Sequence, residues 1–170
     1  MAKRRTGSLL NLRQMNEEQA RALRDLVREQ TIAALGTLHK GEPYVSMVPY
    51  ALAASGAGLF IHVSRLAAHT GDMLVSPRVS LLIVARSGDS PQSRARVTVQ
   101  GDARPLGAGS AEYTAAKACY IARFPESAGI FELADFSMFR IAPATVRVVG
   151  GFAQAFSLGA ESFARALREA

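Results

Sequence analysis

The sequence predicts an antiparallel barrel with helices over its ends, a mainly β chain of the α+β class. Six or seven short apolar or alternating runs recur at hairpin spacing with only a few helical patterns between them. No regular strand-helix-strand alternation of a parallel sheet is present. The chain has 170 residues, 49% of them hydrophobic, which suits one domain with a real core.

Residues 1–14 read as a flexible basic arm carrying Lys3, Arg4 and Arg5, and residues 15–170 as a single domain. Asn16-Glu17-Glu18-Gln19 forms a capping box that opens a helix to about residue 30, with Leu23, Leu26, Val27 and Gln30 on one face. Residues 31–38 are small or branched and apolar, Lys40-Gly41-Glu42-Pro43 is turn chemistry, and 44–50 returns as the second arm of a hairpin. After a turn at 54–58 comes the strand 59–63. A helix then runs from about 65 to 75, with Ser64 as its N-cap and Ser76-Pro77 as its stop. Strand 79–85 follows. Residues 87–93, with Gly88, Asp89 and Pro91, are expected to be a mobile loop.

Residues 96–100 alternate again, and Gly101 marks a bulge or bend. Ser110 caps a helix to about Phe124, whose stripe Tyr113, Ala116, Tyr120 and Phe124 belongs to the core or to a dimer contact. Residues 136–141 and 145–149 read as two strands. Gly150-Gly151 breaks the chain, 152–158 adds an edge strand, and 161–168 closes as a helix.

No apolar run approaches the ~20 residues of a membrane span, and the N-terminus lacks the apolar stretch of a secretory signal, so the expectation is a cytoplasmic protein without membrane contact. Cys119 is the lone cysteine, which rules out disulfides within the chain and predicts a buried or half-buried thiol. The net charge of +6 favours an anionic partner. Nucleic acid is not the expected one, because zinc-finger spacing, tryptophan and aromatic-rich basic strands are all missing. Nucleophile-elbow, Walker, Rossmann and metalloprotease signatures are also missing. His39, His62 and His69 lack the spacing of a helical zinc pair, so no metal site is expected.

What remains is the strand-to-helix junction within residues 58–82. Ser64, Arg65, His69 and Thr70 gather there around a helix start, where free N–H groups, hydroxyls and cations suit a phosphate. No proton-transfer residue stands out, which fits a cofactor that carries the chemistry itself. Flavin mononucleotide (FMN) has the matching parts: a phosphate, and a ring that needs an apolar wall with backbone donors and acceptors.

Residues 58–82 resemble the cofactor-binding segment of the pyridoxamine 5′-phosphate oxidase-like split-barrel flavoproteins, most closely at Pro77-Arg78-Val79-Ser80-Leu81-Leu82. Val45-Ser46-Met47-Val48-Pro49 is similar to that family's ring-contacting strand, and Arg96-Val97-Thr98-Val99-Gln100-Gly101 to a later barrel strand. The ending Gly150-Gly151-Phe152-Ala153-Gln154-Ala155 resembles the haem-utilisation branch in particular. The resemblance implies an FMN-binding split barrel and a homodimer with FMN at the subunit interface. It assigns Ser46, Met47, Val48 and Pro49 to the ring. His62, Val63 and Ser64 fall to the ribityl chain or phosphate, and His69 and Thr70, with Leu66 beside them, to the phosphate grip. Arg96 lies near ring or phosphate. The residues themselves leave alternatives open: Ser64 as a helix cap only, His62 as a barrel-wall histidine, Arg96 as a surface cation.

The vitamin B6 oxidases carry an arginine on the ring strand and an Arg-Lys pair at the phosphate helix, where this chain has Ser46 and Ala68-His69. Their Trp-containing C-terminal motif is absent, so oxidation of pyridoxamine 5′-phosphate is not expected. Asp72 stands where related branches often have asparagine, which places an acid near the phosphate. The first expectation is an FMN-dependent oxidoreductase exchanging electrons with a small-molecule donor or acceptor. The alternatives are a haem-binding or haem-degrading protein, against which stand the lack of a histidine after His69 and the ending at Ala170, and a non-catalytic flavin-binding module.

Overall fold

Antiparallel pairing joins eight strands into one curled sheet in the computed structural model, which describes residues 15–88, 90–150 and 155–168. The expected basic arm, Asp89 and residues 151–154 of the glycine-containing ending lie outside the described residues. The elements in chain order are α1 (Glu17–Glu29), β1 (Ile32–His39), β2 (Glu42–Pro49), β3 (Ala51–Leu52), β4 (Leu59–Ser64) and α2 (Ala68–Val75). They continue with β5 (Arg78–Val84), β6 (Arg96–Pro105), α3 (Ala111–Arg123), β7 (Phe136–Val149), β8 (Ala155–Gly159) and α4 (Ala160–Arg168). The path across the sheet is β2-β1-β5-β6-β7-β4-β3, with β8 paired to β7. No helix among the described residues is long and apolar enough to cross a membrane.

The two strands expected at 136–141 and 145–149 are one, β7, and its length lets it serve three neighbours. Along one edge it pairs with β6; along the other, β4 takes its first half and β8 its last. Register shifts once. Gln100 faces Thr145, but Gly101 faces Pro143, so Ala144 is an extra residue opposite the predicted bend. A Cβ on Gly101 would lie 2.1 Å from the Ala142 carbonyl oxygen, so only glycine allows the strands to pass this closely. Side chains alternate with period two, and one extra residue exchanges the faces. Val146 and Val148 therefore join the main core from one side of the bulge, and Phe139 and Ile141 from the other.

The main core fills the concave side of the sheet with Leu35, Ile61, Leu81, Ile83, Val97 and Val99, closed by Leu23 and Val27 of α1 and Phe163 of α4. A second cluster lies behind β4, where Phe60 and Met138 meet Ala116 and Tyr120 of α3. The aromatic stripe expected on α3 thus belongs to a core. Cys119 is half-buried beside it, as expected of a structural thiol.

Both ends of α1, the start of α3 and the end of α4 are closed by side chains. The expected capping box is present: Asn16 Oδ1 accepts from the Gln19 N–H, and Gln19 Oε1 accepts from the Asn16 N–H. Ser110 caps α3 by accepting from the Tyr113 N–H at 3.0 Å. Arg123 of α3 donates to the carbonyls of Arg28 and Gln30 at the end of α1, while Arg24 and Arg28 of α1 donate to those of Ala166 and Leu167 at the end of α4. These arginines satisfy carbonyls that lack intrahelical partners and offset the negative helix end.

Candidate functional site

β4 is buried on both faces, and its alternation decides where each candidate side chain goes. Leu59, Ile61 and Val63 enter the main core, so Val63 is a packing residue. His62 faces the other way and is 8% exposed. Its ring stacks on Phe131 at 3.9 Å between centroids and 5° between planes, with Tyr120 at 5.9 Å and Phe136 at 5.2 Å. Burial, helped by the charge of Lys117, lowers its pKa to about 4, which leaves a neutral ring inside an aromatic cluster. The His62 side chain is therefore directed toward α3.

Ser64 ends β4 opposite Phe136 and does not cap α2, which corrects the reading of the sequence. Its hydroxyl accepts from the Leu66 N–H at 3.2 Å and donates to Asp135 at 3.4 Å, forming a local turn that delays the helix to Ala68. The intervening segment is clasped by the chain before β7. The Arg65 N–H donates to the Asp135 carbonyl at 2.6 Å, and the Arg65 guanidinium to the Ala134 carbonyl. Thr70 donates its hydroxyl to the Ser64 carbonyl at 2.7 Å.

Consequently α2 starts at an N-cap, Ala67, that makes no side-chain hydrogen bond, and the helix has no acid in its first turn and no base in its last. His69 sits in that first turn. Its Nε2 is enclosed yet has no hydrogen-bond partner. Burial pushes the His69 pKa down against the opposing pull of Asp72, favouring the neutral imidazole. Leu66 and Val75, each 88% exposed, flank the helix at its two ends.

Asp72 points elsewhere than at a phosphate. It is buried against β1, where it accepts from Thr37 Oγ1 at 2.8 Å and lies 2.8 Å from His39 Nδ1. Burial alone would raise its pKa. The hydrogen bonds from His39 and Thr37, with the charges of His39 and His69, outweigh that and hold the carboxyl below its ordinary range. A cavity of about 540 Å³ beside this contact is lined by Leu38, His39, Gly71, Asp72 and Val75.

On β2, Ser46 pairs with Leu35 and its enclosed hydroxyl has no partner. Val48 is buried and Pro49 half-buried, whereas Met47 is exposed on the convex face. That face also presents Ile32, Val45, Leu82 and Val84. Arg96, at the start of β6, donates to the carbonyls of Gln92 and Arg94 and so braces the preceding turn.

The structure thus gathers Ser64, Leu66, His69 and Thr70 at one junction, and directs the side chains of His62, Val63 and Arg96 away from it. Thr37, His39 and Asp135, which the sequence did not single out, support this junction from β1 and from the entry to β7. They are 33 to 71 residues from their partners, so no local pattern announces them. Among the described residues, no group of three or more His, Cys, Asp or Glu side chains is arranged to hold a metal ion.

Against known proteins, a family model described as "Pyridoxamine 5′-phosphate oxidase" matches residues 20–150. The chain is 37% identical over 127 residues to the chloroplastic heme oxygenase HOZ of Arabidopsis thaliana, covering 75% of this chain and 37% of that protein. Heme oxygenase HutZ of Vibrio cholerae is 27% identical over 143 residues, covering 82% and 80%. Among solved structures, a heme binding protein from Mycobacterium smegmatis superposes with a TM-score of 0.79 at 30% identity, over 86% of this chain and 60% of that one. The chain therefore spans little more than a third of the Arabidopsis relative and three fifths of the mycobacterial one.

Proposed function

Since the chain belongs to the pyridoxamine 5′-phosphate oxidase family, in its haem-utilisation-like branch, we propose that it is a haem-binding split-barrel protein, with haem taken at the start of α2. The single observation that carries the choice is His69. A neutral imidazole with an enclosed, unbonded nitrogen is a good donor to iron and a poor partner for a phosphate dianion. Leu66, just before the helix, offers exposed apolar surface for a macrocycle. Arg65 and the uncapped N–H groups of α2 suit its carboxylates. Bound haem would supply the redox and oxygen chemistry, while these residues would orient it and shield one face from water.

The same uncapped helix start also favours a second reading, FMN held by its phosphate, as an oxidoreductase or a non-catalytic flavin carrier. The exposed convex face with Ile32, Val45, Met47, Leu82 and Val84 fits a second copy of the chain, making a homodimer.

Titration with ferric haem and with FMN, each followed by visible absorption, separates the two ligands. The expected result is a saturable Soret band that changes in position or intensity in His69→Ala. No defined band with haem, together with tight uptake of FMN, would reverse the order of the readings. Sedimentation velocity would reveal a monomer if the convex face is not a subunit contact.

A further inference from the structure

Resting on the haem reading above, we propose that Asp72 is a positioning residue: with Thr37 and His39 it clamps α2 onto the end of β1 and so fixes the side chain of His69. The helix is weak by itself. α2 has eight residues, includes Gly71, and lacks a side-chain cap, whereas helices shorter than about 12 residues are marginal by themselves in water. Its place must come from tertiary contacts. Met73 supplies apolar burial in the main core, and Thr70 ties the helix back to the preceding turn at Ser64. The sheet is held through the Asp72 carboxylate, whose two oxygens take one partner each, Thr37 Oγ1 and His39 Nδ1, both at 2.8 Å.

Thr37 and His39 are two residues apart on β1 and share one face, so they present donors side by side to a single carboxylate. Asp72 and His69 are three residues apart on α2 and share one helix face. The clamp therefore sets the rotation and depth of the face that carries His69. Asp72 is 6% exposed, so its loss would open a buried polar gap in this contact without exposing a new surface charge. Supporting contacts behind a ligating histidine commonly set its affinity by orienting the ring.

Histidine ring resonances of the ligand-free, ¹⁵N-labelled protein read the position of His69 without any cofactor, and a ferric haem titration reads its consequence. Asp72→Ala is expected to shift the His69 ring signals and weaken haem binding by roughly tenfold or more. Thr37→Val should do so to a lesser degree, and His39→Gln, which keeps a donor, should stay near the parent. An Asp72→Ala protein with a lowered melting temperature but unmoved His69 resonances and an unchanged haem spectrum would reduce the clamp to plain stability and overturn the proposal. Should Asp72→Ala fail to fold, Thr37→Val and His39→Ala provide the same readouts, and unmoved His69 signals in both overturn it equally. A parent protein that takes up no haem would sink the haem reading alone, because the ring resonances still decide the positioning.

Discussion

The helices around this sheet are finished in two different ways. α1, α3 and α4 form a chain of mutual closure: a capping box and a serine cap start two of them, and arginines borrowed from neighbours end two. α2 has no side-chain cap, no charge suited to either end, and a first-turn histidine whose inner nitrogen is unbonded. Backbone groups that a protein leaves open are the groups a ligand can use. The closed helices hold the barrel; on the proposal above, the open one receives the ligand.

That contrast can be broken from either side. The largest effect is expected on the closed side, from His62. Its folded pKa of about 4 lies below the ordinary 6.5, so the unfolded chain takes the proton first as pH falls. The stability it allows is complete above about pH 6.5 and declines toward pH 4, by roughly 3 kcal/mol in all at ~1.4 kcal/mol per unit. His69 acts in the same direction. Asp72, and Glu112 of α3, which hydrogen bonds from Arg104 and Arg140 hold low, contribute stability above the ordinary carboxylate range that is lost as pH falls through their depressed values. Urea unfolding at pH 7, 5.5 and 4.5 measures the slope; His62→Phe should flatten it, and an unaltered slope would remove His62 as its source.

Next in size, Arg123→Ala removes two donors from the end of α1 and a guanidinium 5.6 Å from the Tyr50 ring. A loss of about 2 kcal/mol is expected, since charge-assisted bonds contribute more than neutral ones and this one is partly solvated. Denaturation midpoints test it, with ligand affinity expected to stay the same. The smallest effect bears directly on the open helix. Ala67→Asp places a cap where the backbone is already extended, and should stabilise the ligand-free protein by about 0.5–1 kcal/mol while weakening binding of haem or FMN. Added stability with undiminished affinity would mean that the open helix end is not where the ligand lies.

The same division separates what the sequence made legible from what it did not. The capping box at Asn16, the Ser110 cap, the first hairpin and the bulge at Gly101 depend on neighbours within a few residues, and all are visible in the chain. Ser64 misled because its surroundings look like a helix start. It still pairs in β4, and its hydroxyl is taken by the N–H two residues on, so the chain makes a turn before the helix. His62 could be assigned to a strand, but which face α3 would cover is a matter of long-range packing. The Asp72 clamp and the arginine closures join residues 33 to 142 apart, beyond any local pattern.

The extra residue at Ala144 works like a shift of reading frame in three dimensions. Past it, even-numbered positions of β7 take over the inward role that odd-numbered ones hold before it. Without that residue, β7 would keep a single alternation along its whole length. Either 139 and 141 would exchange faces with 138 and 140, or 146 and 148 with 145 and 147, and each exchange turns an arginine, Arg140 or Arg147, toward the core. A one-residue gap in this strand is thus a change of architecture.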